Sequence, residues 1–373
     1  MEKLNVLVTG GAGFIGSHLV DALVDRGHSV RILDSLVPQV HLTGKPEFLN
    51  PAAEFIEGEV CNTAVVAKAL EGIDAVFHEA AEVGIGQSMY EPGRFVSAND
   101  LGTAVLLESV LKLRTRIKKL VVASSMSIYG EGGYRCDTCG SAYPQLRDDD
   151  QLIERRWELR CTICEKEMAP SLTREDKPLF PTSVYAVTKQ TQEQLCLVLG
   201  RAYGVPTVAL RYFNVYGPRQ ALSNPYTGVC AIFSSRLLND QPPLIFEDGG
   251  QTRDFVHVSD IVEANLLALE TNSGNYVPIN IGTGRPTSIR DVAGLLATGL
   301  NKNIQPQITC KYREGDTRHC VADISRAKAL LGYQPRVMLE EGIKDLLSWV
   351  QQQTAKDQVA HATAQLEARQ LVR

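Results

Sequence analysis

The chain has 373 residues, 44% of them hydrophobic and 22% charged, with a formal net charge of −5 at pH 7. That length suits one large α/β domain with a smaller lobe, and a core that needs no disulfide staples. The acidic balance leaves no basic excess to neutralise phosphates, which argues against nucleic acid as a partner but not against a local pocket for a pyrophosphate. Nine cysteines, an odd and scattered set, do not read as a disulfide framework. The first residues lead into glycines rather than a cleavage site, and no run nears the ~20 apolar residues of a membrane helix. The expectation is a cytoplasmic protein with reduced thiols and no membrane partner.

In chain order, Asn5–Thr9 reads as a strand and residues 15–26 as a helix with Ile15, Leu19, Ala22 and Leu23 on one face. Ser29–Asp34 and 54–59 read as strands, 63–70 as a helix, Ala75–His78 as a strand, 103–113 as a helix and 120–124 as a buried strand. Continuous apolar strands separated by helices imply a parallel sheet covered on both faces, the doubly wound Rossmann-type α/β pattern. From 132 to 168 the chain turns polar, carries four cysteines and loses the alternation. The pattern resumes with a helix at 185–203 and a strand at Thr207–Tyr212. Beyond Gly217 the organisation loosens into a smaller lobe, with helices expected at 260–270, 290–300, 323–330 and 340–352. The domains expected are therefore 1–215 for a dinucleotide, carrying the insert 132–168, and 216–352 mainly for substrate, with some segments returning to the first domain. The polar tail 353–373 reads as a surface helix or a frayed end.

Between the first strand and the first helix lies Gly10-Gly11-Ala12-Gly13-Phe14-Ile15-Gly16. Gly10 permits the tight turn, Gly13 lets backbone approach a pyrophosphate, and Gly16 lets the helix pack against the strand. The helix N-terminus offers unpaired N–H groups to the phosphates. Asp34 ends the second strand, where a carboxylate accepts bonds from an adenosine ribose and repels a 2′-phosphate, so NAD is expected rather than NADP.

The spacing Gly-x-x-Gly-x-x-Gly resembles the short-chain dehydrogenase/reductase superfamily, and Tyr185-Ala186-Val187-Thr188-Lys189 is similar to its Tyr-x-x-x-Lys signature. Four residues apart on a helix, the two share a face. The Lys189 ammonium is expected to draw the Tyr185 phenol down toward working pH as a general base. Ser125, after a core strand in Ser124-Ser125-Met126-Ser127-Ile128-Tyr129-Gly130, is similar in position to the family's catalytic Ser/Thr. The resemblance narrows to the extended branch, the nucleotide-sugar epimerases and dehydratases, and covers nearly the whole chain. It implies that Val60, Ala80, Ala81 and Asn99, with Phe14, Ile15, Tyr185 and Lys189, contact the cofactor. It implies a substrate site at Ser125, Ser127 and Tyr185, with Asn214 of Arg211-Tyr212-Phe213-Asn214, Arg253 and Arg313 gripping the diphosphate. It also implies a homodimer through the helices 103–113 and 185–203.

Two departures narrow the chemistry. The third strand ends Gly58-Glu59 where the family has Gly-Asp, so Glu59 is expected to keep the adenine contact with a longer side chain. The 4,6-dehydratases carry an Asp-Glu pair after the catalytic Thr, and sugar-nucleotide decarboxylases a glutamate at the second position; here Met126 and Ser127 stand instead. Elimination of water needs an acid and a base beside the ring. What remains is hydride transfer: epimerisation of a UDP- or dTDP-linked sugar, expected at carbon 4, through a 4-keto sugar. The stretch from Gly86 to Pro92 is similar to epimerases of deoxysugar nucleotides. A 4-keto-sugar reductase and a non-catalytic NAD-binding sensor are the competing readings.

Cys136-x-x-Cys139 and Cys161-x-x-Cys164 lie roughly 20 residues apart, the spacing of two knuckles closing a tetrahedral thiolate zinc site. So small and polar a segment would draw its stability from the metal. Residues 157–160 are expected in a short hairpin, and the zinc is expected to be structural because four thiolates leave no open position. A redox pair is the alternative.

Overall fold

The computed structural model describes residues 2–373. Its centre is a seven-stranded sheet in the order Pro278–Ile281, Thr207–Tyr212, Lys119–Ser125, Ala75–His78, Asn5–Thr9, Ser29–Asp34, Glu54–Glu57. Every neighbouring pair is parallel. The strands are apolar because both faces are covered. On one face, Leu19, Val20 and Leu23 of the helix Phe14–Asp25 pack with Ile261 of Val258–Glu270 and Ala327 of Ser325–Leu331. On the other, Val66, Leu106, Val110 and Cys196 come from Thr63–Ala69, Gly102–Lys112 and Val184–Tyr203. Each such buried Val, Leu or Ile side chain contributes about 1.5–3 kcal/mol.

The chain crosses back after residue 215, since Pro278–Ile281 forms one edge of the large sheet. The lobe has its own core, where Phe233 and Leu237 of Val229–Leu238 meet Leu296 of Ile289–Gly299 and Leu346 of Leu339–Val350. Beside it, Thr252–His257 pairs with Asn214–Tyr216, Pro286–Ser288 and His319–Cys320. Six of these elements are absent from the sequence reading: the strands Asn214–Tyr216, Thr252–His257, Pro278–Ile281, Pro286–Ser288 and His319–Cys320, and the helix Val229–Leu238. Val229–Leu238 is apolar nearly all round, so it shows no helical stripe, and Thr252–His257 buries Arg253 and Asp254 inside a strand. The third strand stops at Glu57, short of the expected 59.

The insert is a small antiparallel sheet with Gly133–Cys136 between Gly140–Ala142 and Ala169–Ser171. Arg160 pairs with Glu167, which makes the expected hairpin. The C-terminal tail is not frayed: Val359–Glu367 is a helix, and Ala362, Leu366 and Val372 are buried.

Candidate active site

A cavity of about 630 Å³ opens between the carboxyl ends of the sheet strands and the lobe. Open parallel sheets bind their ligands there. The glycine turn forms its floor. Gly10 has φ +69°, and a Cβ on it would meet the Ala80 backbone nitrogen at 2.7 Å. A Cβ on Gly16 would collide with the Gly10 carbonyl, so helix and turn lie as close as glycine permits. Gly13 starts the helix Phe14–Asp25 without a side-chain cap and with no acid in the first turn. Its free N–H groups therefore remain available to phosphates. Asp34 borders the same cavity, its carboxylate accepting the N–H groups of Ala12 at 3.0 Å and Leu36 at 2.9 Å. Phe14, Ile15, Val60, Ala80 and Ala81 also line the cavity, so the turn and its surroundings fit NAD.

Asn99 and Glu59 lie outside the lining. Buried Asn99 accepts from the Glu82 N–H at 2.7 Å and donates to the Glu82 carbonyl at 3.1 Å and to Thr188 Oγ1 at 2.9 Å. It braces the backbone under the cavity rather than its surface. Glu59 is exposed and accepts from the Cys61 thiol, because the strand ends before it and turns it outward.

Ser125, Tyr185 and Lys189 converge on one wall. Ser125 is the last residue of its strand and caps the following turn, accepting from the Ser127 N–H at 3.1 Å and the Ser127 hydroxyl at 2.9 Å. Tyr185 is placed by the start of its helix, where Ser183 accepts from the Ala186 N–H. Its own N–H donates to Ser88 Oγ at 3.0 Å. Burial pushes the Tyr185 phenol up, and a hydrogen bond with Ser125 opposes the rise. The expectation that Lys189 lowers it is corrected here. Lys189 is buried and donates instead to the Ala123 carbonyl and to Gln192 Oε1 at 2.8 Å. Burial brings its ammonium down to about 8, with Glu79 pulling the other way. Burial likewise raises Glu79, on the cavity wall, to about 7, while the bond it accepts from the Tyr212 hydroxyl opposes the rise.

In the same cavity lining, Arg253 and Arg313 meet on Asp316, at 3.5 Å and 2.8 Å. Burial works against ionisation of Asp316, but the Arg313 and Arg253 guanidiniums hold it below its ordinary range. Two cations on one carboxylate leave a net positive charge facing the cavity, which suits a diphosphate. Asn214, Gln220 and Gln251 also line the cavity, and their side-chain amide oxygens are buried without a hydrogen-bond partner. Asp316 and Glu79 escaped the sequence reading. Asp316 sits three residues after Arg313, a spacing that could have paired them, but no local signal marks Glu79.

Away from the cavity, the sulfurs of Cys136, Cys139, Cys161 and Cys164 lie within 4.8 Å of one another. Backbone N–H groups of Thr138 and Cys139 point at the Cys136 sulfur, and those of Ile163 and Cys164 at the Cys161 sulfur. Such knuckles favour thiolates, so the donor set fits a tetrahedral zinc. The insert docks on the segment that carries Asp316. Arg147 makes a buried pair with Glu247 at 2.7 Å and reaches the Asp316 carbonyl, while Glu158 accepts from Arg318 and lies 2.9 Å from His319 Nε2.

Residues 6–146 and 164–282 match the model of the NAD dependent epimerase/dehydratase family. A dTDP-L-rhamnose 4-epimerase of Burkholderia thailandensis is 35% identical over 95% of this chain and 96% of its own length. The crystal structure of UDP-glucose 4-epimerase with UDP-glucose from Thermotoga maritima superposes with a TM-score of 0.77 at 34% identity, covering 94% of this chain and 99% of that one. A UDP-glucuronic acid 4-epimerase from Bacillus cereus, solved with UDP-glucuronic acid and NAD, has a TM-score of 0.76 at 31% identity over 94% of this chain and 99% of its own.

Proposed function

The chain belongs to the NAD dependent epimerase/dehydratase family, and from that premise we propose that it is an isomerase inverting carbon 4 of a UDP- or dTDP-linked sugar. The observation that carries the reading is the convergence of Ser125, Tyr185 and Lys189 on the wall of a cavity that Arg253 and Arg313 also line. Gly10, Gly13, Phe14, Ile15, Gly16, Asp34, Val60, Ala80 and Ala81 would hold NAD. When bound, NAD supplies an acceptor for the carbon-4 hydride and the donor that returns it.

The rest is work for the chain's own groups. Tyr185 takes the proton of the carbon-4 hydroxyl and later restores it. Ser125 holds that oxygen and by its hydrogen bond opposes the rise that burial imposes on the phenol, while Lys189 braces the strand end beside it through the Ala123 carbonyl. Arg253, Arg313 and Asn214 retain the diphosphate, while Ser127 faces the sugar. The keto sugar, tethered at its diphosphate, turns within the cavity and presents its other face. Binding energy remote from the reacting carbon thus permits the rotation. No carboxylate stands at Met126 or Ser127, which counts against loss of water.

We also infer a structural zinc on Cys136, Cys139, Cys161 and Cys164, and a homodimer through the helices Gly102–Lys112 and Val184–Tyr203. Exposed Val187 and Val198 on the second helix, with Val96 and Leu101 in the segment just before the first, support the second inference. Four reduced thiolates suit a cytoplasmic setting.

The test is a panel of UDP- and dTDP-sugars followed by NMR, with wild type and Tyr185→Phe. Wild type should interconvert one carbon-4 pair without added cofactor, and the variant should lose about 10²-fold or more in turnover while keeping NAD. Stoichiometric consumption of a reduced cofactor would instead establish a reductase.

A further inference from the structure

We propose that residues 354–373 form a wall of the sugar site and set which hexose is accepted, favouring an apolar edge such as a 6-deoxy carbon over a carboxylate. This rests on the epimerase reading and names its substrate class.

The helix Val359–Glu367 turns one face into the cavity. Val359, Ala362, Thr363 and Leu366 have helical spacing and line it, and Leu371 follows. The segment is tied to both rims. At one end, the hydroxyls of Tyr90 and Tyr226 hydrogen-bond at 2.6 Å, and Gln365 Oε1 lies 3.1 Å from each as acceptor. The Arg369 guanidinium lies 4.4 Å above the Tyr90 ring. On the lobe side, Tyr312 and Arg373 exchange backbone bonds of 2.9 and 3.0 Å, and Arg373 pairs with Asp149 of the insert at 2.6 Å.

These ties place the wall against the reacting centre. A Cβ on Gly86 would meet Leu366 at 3.2 Å, and two residues on, Ser88 holds the Tyr185 N–H. At the other end, the Glu314 N–H donates to the Leu371 carbonyl beside Arg313. A sugar reacting at Tyr185 and anchored at Arg313 must therefore lie along this face.

The face is apolar. The segment's charges do not face the cavity: Asp357 pairs with Arg236, Glu367 with Lys311 and Arg373 with Asp149, Arg369 lies over Tyr90, and exposed Lys356 is not part of the lining. A carboxylate against Leu366 would lose water without gaining a cation, whereas a methyl group loses nothing. A hydroxyl is an intermediate case, because an apolar pocket discriminates against it by no more than about 10²-fold.

The experiment uses full-length wild type and Leu366→Arg, with melting temperature and retained NAD as controls for folding. The kcat/KM of each is measured for a dTDP-linked 6-deoxyhexose, UDP-glucose and UDP-glucuronate. The variant should move the ratio toward UDP-glucuronate by about tenfold or more, through KM. Ratios unchanged in a folded, NAD-retaining variant would overturn the proposal. If wild type turns over none of the three, the epimerase reading falls. Amide exchange of residues 359–371 with and without UDP-glucose then decides the wall separately: slowed exchange supports it and unchanged exchange overturns it.

Discussion

Glu79 shows what the cavity does to a single side chain. Between its ordinary range near 4.5 and about 7 it is protonated in the folded chain and ionised in the unfolded one. Folding takes up a proton in that window, so its contribution to stability is full below the window and is lost as pH rises through it. The slope approaches about 1.4 kcal/mol per pH unit at most. Denaturant titrations of Glu79→Gln from pH 5 to 8 should show a flatter dependence than wild type, and parallel curves would contradict the assignment. Glu79 was hidden in the sequence because its partner is far away in it: it meets Tyr212. Ser125, Tyr185 and Lys189 were legible because their spacing within one strand end and one helix turn carries the arrangement. What spacing could not convey was the direction of the Tyr185 shift, since burial depends on everything packed around the ring.

Among the elements, the cysteine insert and the tail test how local pattern becomes position. The insert's knuckles and hairpin followed from its cysteine spacing, but its docking did not. Arg147 donates to Glu247, and Arg318 donates to Glu247, Asp248 and Glu158, across gaps of 70 residues or more. Purified protein should carry one zinc per chain. Cys136→Ser with Cys161→Ser should lose it and loosen the segment bearing Asp316. Removing one side of a buried pair such as Arg147–Glu247 costs about 3–5 kcal/mol, so a KM for nucleotide sugar raised roughly tenfold, with NAD retained, is the expected readout. Metal analysis finding no zinc, or an unchanged KM in the variant, would remove the insert from the account. The tail carried a readable signal too, with Val359, Ala362, Thr363 and Leu366 on one stripe, but its many glutamines and charges masked it.

At the scale of the molecule, the doubly wound sheet was the most legible feature, because its inner strands are buried on both faces and need apolar runs; six of its seven strands were read, and the edge Pro278–Ile281 was not. The lobe was least legible, since its strands bury charge and its segments interleave with the sheet. Exposed Val187, Val198 and Tyr203 on the helix Val184–Tyr203, with Val96 and Leu101 just before Gly102–Lys112, give the folded chain apolar surface to cover. Light scattering should find two chains per particle, and Val198→Asp should shift the particle toward one; a monomeric wild type would refute the dimer.

The central claim is that one hydride leaves the sugar and returns to it within a single cavity. It is tested most directly with a nucleotide sugar deuterated at carbon 4, incubated with the purified enzyme and no added cofactor. The account predicts an inverted product that keeps its deuterium at carbon 4. Inversion with loss of that deuterium to solvent would contradict it.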